Sequence, residues 1–176
     1  FSKNALFYSR RIGSTPSLFY DVPYLVNPSE KIISNPAQSQ LINASKLTGR
    51  TEHGLEIGVL NAITNNMYAE IQDTVTGTVR EILTEPLTNY SAVVFDQQLK
   101  NNSNAYFMNT NVMRNGSAPD ANITTAGYWL LNKKNTLATF GDYGFYQKFS
   151  PSASGGNTYD NQIGFFYNEC NWAQNR

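Results

Sequence analysis

SNAYFMNTNVMR, residues 103–114, alternates along its length as an extended strand does. Successive side chains of a strand point to opposite sides of the sheet. Tyr106, Met108, Thr110 and Val112 therefore share one face, and Ala105, Phe107, Asn109, Asn111 and Met113 share the other. A polar centre at Asn109 and Asn111 opposing Met108, Thr110 and Val112 predicts a barrel wall, with asparagines toward a lumen and the apolar residues toward lipid.

The neighbouring segments repeat this length, separated by turn chemistry. Residues 89–99 read as a strand ending at Lys100, Asn101 and Asn102. A turn over residues 115–120, with Gly116 and Pro119, leads to a strand over residues 121–132. Lys133, Lys134 and Asn135 form a polar hairpin, and residues 136–149 return. Earlier in the chain, residues 40–50 close at Thr51, Glu52, His53 and Gly54, and residues 55–64 follow. Alternation there is partial, placing Ile57, Val59 and Ala69 on mixed faces, with a helical turn around residues 61–69. Residues 151–161, with Gly155 and Gly156, read as a loop before a last short strand over residues 162–168. Residues 14–40 carry Pro16, Pro23, Pro28 and Pro36, a density that predicts a long loop or lid. Segments of about ten residues suit a tilted strand crossing a bilayer.

Composition narrows the partners. Thirteen basic and 13 acidic residues cancel, with no basic stripe, so phosphate neutralisation of a nucleic acid has no basis here. Charged residues are 15% and aromatics 13%, whereas soluble domains carry about 25% charge. A single cysteine, Cys170, excludes an intrachain disulfide and any paired-cysteine zinc site. No run of apolar residues is long enough for a transmembrane helix, which leaves barrels open. The chain starts at Phe1 without an initiator methionine or signal segment, and is expected to be a fragment or a mature portion.

Candidate chemistry is sparse. Arg10 and Arg11, beside Tyr8 and Ser9, are candidates for binding a carboxylate or phosphate. As consecutive strand residues they also point to opposite faces, which suits a structural role. Lys46, Arg50, Glu52, Glu56, Arg80, Glu81 and Glu85 suggest a ladder of opposite charges inside a lumen. The only histidine, His53, sits in a turn without the partners a metal site needs. Asp96, Asp120, Asp142 and Asp160 are the carboxylates available for glycoside hydrolysis, and nothing in their spacing selects a pair. Tyr90, Tyr128, Trp129, Tyr143, Phe149, Tyr159 and Trp172 gather near strand ends, as in an interfacial girdle. Trp129 and Trp172 are also the candidates for stacking on sugar rings. No phosphate loop, nucleophile elbow or paired-histidine motif is present.

Several longer motifs carry a resemblance. LFYSRRIG (6–13), KLTGRTEHGLEIGVLNAIT (46–64), EPLTNY (85–90), RNGSAPDANIT (114–124), NKKN (132–135) and YDNQIGFFYN (159–168) resemble a family of uncharacterised Bacteroidota outer-membrane proteins. In that family the motifs belong to a large C-terminal domain, expected to be a β-barrel, that follows a module similar to family-nine carbohydrate-binding domains. The resemblance carries over no catalytic motif. This chain lacks the preceding module and an evident barrel-closing end, so it is expected to be part of a larger barrel.

The reading is therefore an all-β chain, residues 1–176 forming a segment of one antiparallel transmembrane β-barrel domain in a bacterial outer membrane. Its expected partners are membrane lipid and either envelope proteins or a glycan, with a transport or scaffold role and no cofactor or metal. The alternative is a cell-surface protein that binds or processes glycans.

Overall fold

The computed structural model describes residues 12–151 and 157–172. Its strands are β1 (Glu30–Ser34), β2 (Leu41–Arg50), β3 (Leu55–Thr64), β4 (Met67–Asp73), β5 (Val79–Glu85), β6 (Thr88–Gln98), β7 (Asn104–Arg114), β8 (Asp120–Leu131), β9 (Leu137–Pro151) and β10 (Asn157–Trp172). They build two antiparallel sheets, one of seven strands in the order β10-β9-β8-β7-β6-β3-β2 and one of three in the order β1-β4-β5. The expected antiparallel all-β class is present. Among the described residues the large sheet is open, with β2 and β10 as its edges, and no closed barrel is formed.

Three tight turns at one end of the large sheet explain its up-and-down path. Between β6 and β7, Asn101 and Asn102 both adopt left-handed backbone with φ near +59° and +56°. Two such residues in succession match the right-handed twist of the flanking strands, and asparagine tolerates that conformation. Gly54 at φ +77° closes the β2–β3 turn, and Asn135 at φ +53° closes the β8–β9 turn. Asn132 Oδ1 accepts the Thr136 and Leu137 N–H groups there, at 2.8 and 3.3 Å. These hairpins fix the register, so each side chain is committed to one face.

At the other end the chain leaves the large sheet between β3 and β6 to make the β4–β5 hairpin, which pairs with β1. This small sheet buries Ala69 and Ile71 against Val22, with Val26 and Ile82 beside them. It hinges on buried Thr84, whose hydroxyl donates to the Met67 carbonyl at 3.1 Å, and on Asn66 Oδ1, which accepts the Leu87 N–H. Together with residues 12–29 it caps that end of the large sheet.

Several segment readings change in the structure. Residues 14–40 are not wholly loop, because they contain a 3-10 turn at Val22–Tyr24 and strand β1. No helical turn forms around residues 61–69, where Asn65 and Asn66 instead link β3, paired with β2, to β4, paired with β1. The final strand spans Asn157–Trp172 and pairs in register along the whole of β9, past a bulge between Ile163 and Phe165. The β4–β5 hairpin was hidden by Glu70, Arg80 and Glu81, which sit on exposed positions of a half-solvated sheet.

Arg80 clamps this cap. Its guanidinium donates to both oxygens of Glu30, at 2.7 and 2.8 Å, and to the Leu25 carbonyl at 3.0 Å. The paired guanidinium first, and the Asn27 N–H second, hold the Glu30 carboxyl down at about 2 from 4.5. The unfolded chain therefore takes up the proton before the folded one as pH falls. This contribution to stability is complete above about pH 4.5 and is lost toward pH 2. Glu30→Gln should lower the urea midpoint of the cap at about pH 6 and flatten its decline toward about pH 3, measured by hydrogen exchange of the β1 and β4 amides across a urea series.

Candidate functional site

Cross-strand pairing sorts every side chain of the seven-stranded sheet onto one of two faces. Ten charged residues lie in its strands, and nine of them (Lys46, Arg50, Glu56, Asp96, Arg114, Asp142, Lys148, Asp160 and Glu169) share one face. The tenth, Asp120, opens β8 on the other face. Most of the exposed large apolar side chains lie on that uncharged face, among them Leu47, Val59, Phe95, Phe107, Met113 and Phe145. The charged face is the more covered, with Ala62, Ala92, Met108, Thr110 and Thr125 buried along its centre.

Asn109 and Asn111 therefore lie on the uncharged face, and Met108 and Thr110 lie on the charged one. Residues 103–114 divide into the two expected groups, and the charges of the sheet collect on the side of Met108 and Thr110. One strand showed two asparagines against three weakly polar or apolar residues, and only the neighbours across the sheet reveal where the charges collect.

A row on the charged face runs Arg50, Glu56, Asp96, Tyr106, Gly127, Asp142. Tyr106 lies across Gly127 and donates its hydroxyl to Asp142 Oδ1 at 2.6 Å. A Cβ at position 127 would overlap both the Tyr106 ring and the Asp142 carboxylate, so glycine is required by this bridge. Arg50 and Glu56 form an ion pair at 3.5 Å, and Asn104 donates to Asp96 at 3.1 Å. Arg80, Glu81 and Glu85 belong to the small sheet and Glu52 to a turn, so the expected charge ladder reduces to the Arg50–Glu56 pair with Lys46 on the same strand.

Where this face meets the cap, a cleft of about 360 Å³ is lined by Ser17, Arg114, Pro119, Asp120, Tyr146 and Lys148. The Arg114 N–H donates to Asp120 Oδ1 and one guanidinium nitrogen donates to the Pro119 carbonyl, both at 2.6 Å. Ser17 is held in place by Glu85, whose Oε2 accepts its N–H at 2.7 Å.

The uncharged face carries an unbroken polar row, Ser45, Asn61, Ser91, Asn111, Asn122, Gln147 and Asn161, one residue from each strand. Asn109 and Asn111 donate to Asn122 at 2.9 and 3.5 Å. Asn122 donates to Gln147 at 3.2 Å, and Gln147 donates to Asn161 at 3.3 Å. Asn61 donates to Asn89 at 2.7 Å. Mutual pairing lowers the cost of holding amides away from water.

The model of a protein family described as a domain of unknown function, DUF5916, matches residues 1–175. The chain belongs to the DUF5916 family. No curated protein and no solved structure matches it.

The DUF5916 fold separates the residues proposed from sequence. Arg10 and Arg11 lie outside the described residues. Trp129 is on the charged face, stacked on Phe140 at 4.8 Å, whereas Trp172 is on the uncharged face at the end of β10 and is 72% exposed. The structure does not unite them in one site. His53 is an exposed turn residue whose carbonyl accepts a Gln97 amide at 2.9 Å. Asp96 and Asp142 share a row but are three strands apart, about 14 Å, too far for a glycosidase pair. The aromatic set divides, with Tyr90 and Trp129 on the charged face and Tyr128, Tyr143, Phe149 and Trp172 on the other. The cleft was not legible in sequence, because its lining comes from a distant loop and three strands.

Gly127→Ala should destabilise the DUF5916 domain by about 1–3 kcal/mol through overpacking. Gly49, with open space around its Cβ position, is the control, and Gly49→Ala should change stability little. Chemical denaturation of the two variants checks this.

Proposed function

We propose that the seven-stranded sheet is a wall of an outer-membrane β-barrel, with its uncharged face against lipid and its charged face toward the interior. The observation that carries this reading is the segregation of nine of ten strand charges onto one face. A strand in a barrel alternates between lipid and lumen, and a charge facing lipid near the midplane costs about 2–4 kcal/mol. A soluble sheet has no reason to expel charge from an exposed face. The strand lengths agree, since the shortest, β2 and β3, have 10 residues each. At about 3.4 Å per residue and a tilt of about 40° they span about 25 Å.

The open edges fit the same reading. β2 and β10 run in the same direction, because five strands separate them and every neighbouring pair is antiparallel. Joining them directly would make a parallel seam. An odd number of further strands between them would complete an antiparallel ring. Short turns mark the periplasmic end in such barrels, so the cap would face the exterior. The role this supports is transport, or a scaffold within an envelope complex.

A second reading is a cell-surface glycan-binding protein, favoured by Trp129, which is 42% exposed and stacked on Phe140 beside the register position of Glu169. A family-nine-like carbohydrate-binding module is a known context for this domain. Retention on immobilised polysaccharide, lost in Trp129→Ala, is its test.

Adjacent residues of β2 test the barrel. Leu47 and Thr48 are both exposed, and Leu47 is on the uncharged face and Thr48 on the charged one. Leu47→Lys should deplete the protein from the membrane fraction and abolish a heat-dependent gel shift in detergent, while Thr48→Lys should leave both unchanged. Equal tolerance of the two variants, with the protein recovered in the soluble pool, overturns the reading.

A further inference from the structure

We propose that the cleft between the cap and the charged face is a binding site for a small oxyanionic ligand of monosaccharide size, carrying a carboxylate or a sulfate. The inference rests on the charged face being accessible to solutes, as the barrel reading has it, but its test does not depend on a membrane.

The hydrogen-bond donors of the cleft argue for an oxyanion. Asp120 already accepts the Arg114 N–H, and Glu85, behind Ser17, already accepts the Ser17 N–H. These two acids are thus each engaged by a backbone N–H. Arg114 uses one nitrogen on the Pro119 carbonyl, which fixes the plane of its guanidinium while leaving donors for a ligand. The Lys148 ammonium takes part in no hydrogen bond or ion pair among the described residues, although Asp160 stands opposite it in register. A fixed guanidinium and an unengaged ammonium on neighbouring walls form a two-point receptor for an oxyanion. Tyr146, two residues from Lys148 on the same face, offers a ring for the body of the ligand. The volume of about 360 Å³ admits one sugar ring.

Full-length protein, in detergent if it requires it, is titrated calorimetrically with galacturonate, galactose 6-sulfate and neutral galactose. Galacturonate or the sulfated sugar should bind and galactose should not, with affinity falling as sodium chloride is raised. The better of the two anions identifies which group the site takes. Lys148→Gln should weaken that binding at least tenfold and Lys148→Arg should largely restore it, with unchanged denaturation midpoints showing that both variants fold. Absence of binding by both anions, or binding indifferent to Lys148→Gln, overturns the proposal. A soluble protein that binds the anion keeps this site and removes the barrel, and a membrane-embedded protein that ignores it does the reverse.

Discussion

Register is the constraint on which the rest of the structure depends. A strand has a side-chain period of two residues, so a slip of one residue in any pairing moves its whole face to the other side. In the large sheet such a slip in β9 would carry Asp142 and Lys148 onto the uncharged face and bring Tyr143 and Phe145 onto the charged one. Asparagines and glycines at φ > 0 in the hairpins hold the pairing from the ends. The Tyr106–Gly127–Asp142 bridge, possible at only one alignment of three strands, holds it from the middle.

Two polar systems follow from that lock, and they differ in kind. On the charged face acids and bases collect, some paired across strands as Arg50 is with Glu56, and some, as Lys148, without an ion-pair partner among the described residues. On the uncharged face polarity survives only as neutral amides and hydroxyls that bond one another along a row. A neutral ladder can be satisfied within the sheet and tolerates a low-dielectric neighbour, whereas an isolated charge cannot. The division is what the proposed barrel wall would require.

The cap answers a different problem. Its small sheet has little apolar area to bury, with Ala69, Ile71 and Val22 at its centre. The Arg80 clamp on Glu30 and Leu25 ties β1 and β5 to the preceding loop where packing is thin. By seating Ser17 against Glu85, the same cap supplies one wall of the cleft.

From the sequence alone came the antiparallel all-β class, the approximate bounds of β2, β3, β6, β7, β8 and β9, and the grouping of residues 103–114 into faces. These are local properties, set by two-residue alternation and by turn residues such as Asn101, Asn102 and Gly54. Only tertiary structure decided which face carried the charge, because a single strand holds one or two charged residues and the pattern emerges from seven strands in register. It likewise diverted residues 67–85 into a separate sheet, since nothing local distinguishes a hairpin that stays in its sheet from one that leaves it. Arg114, Lys148 and Ser17 are brought to one cleft by pairing and capping between segments far apart in the chain, and no spacing in the sequence encodes that meeting.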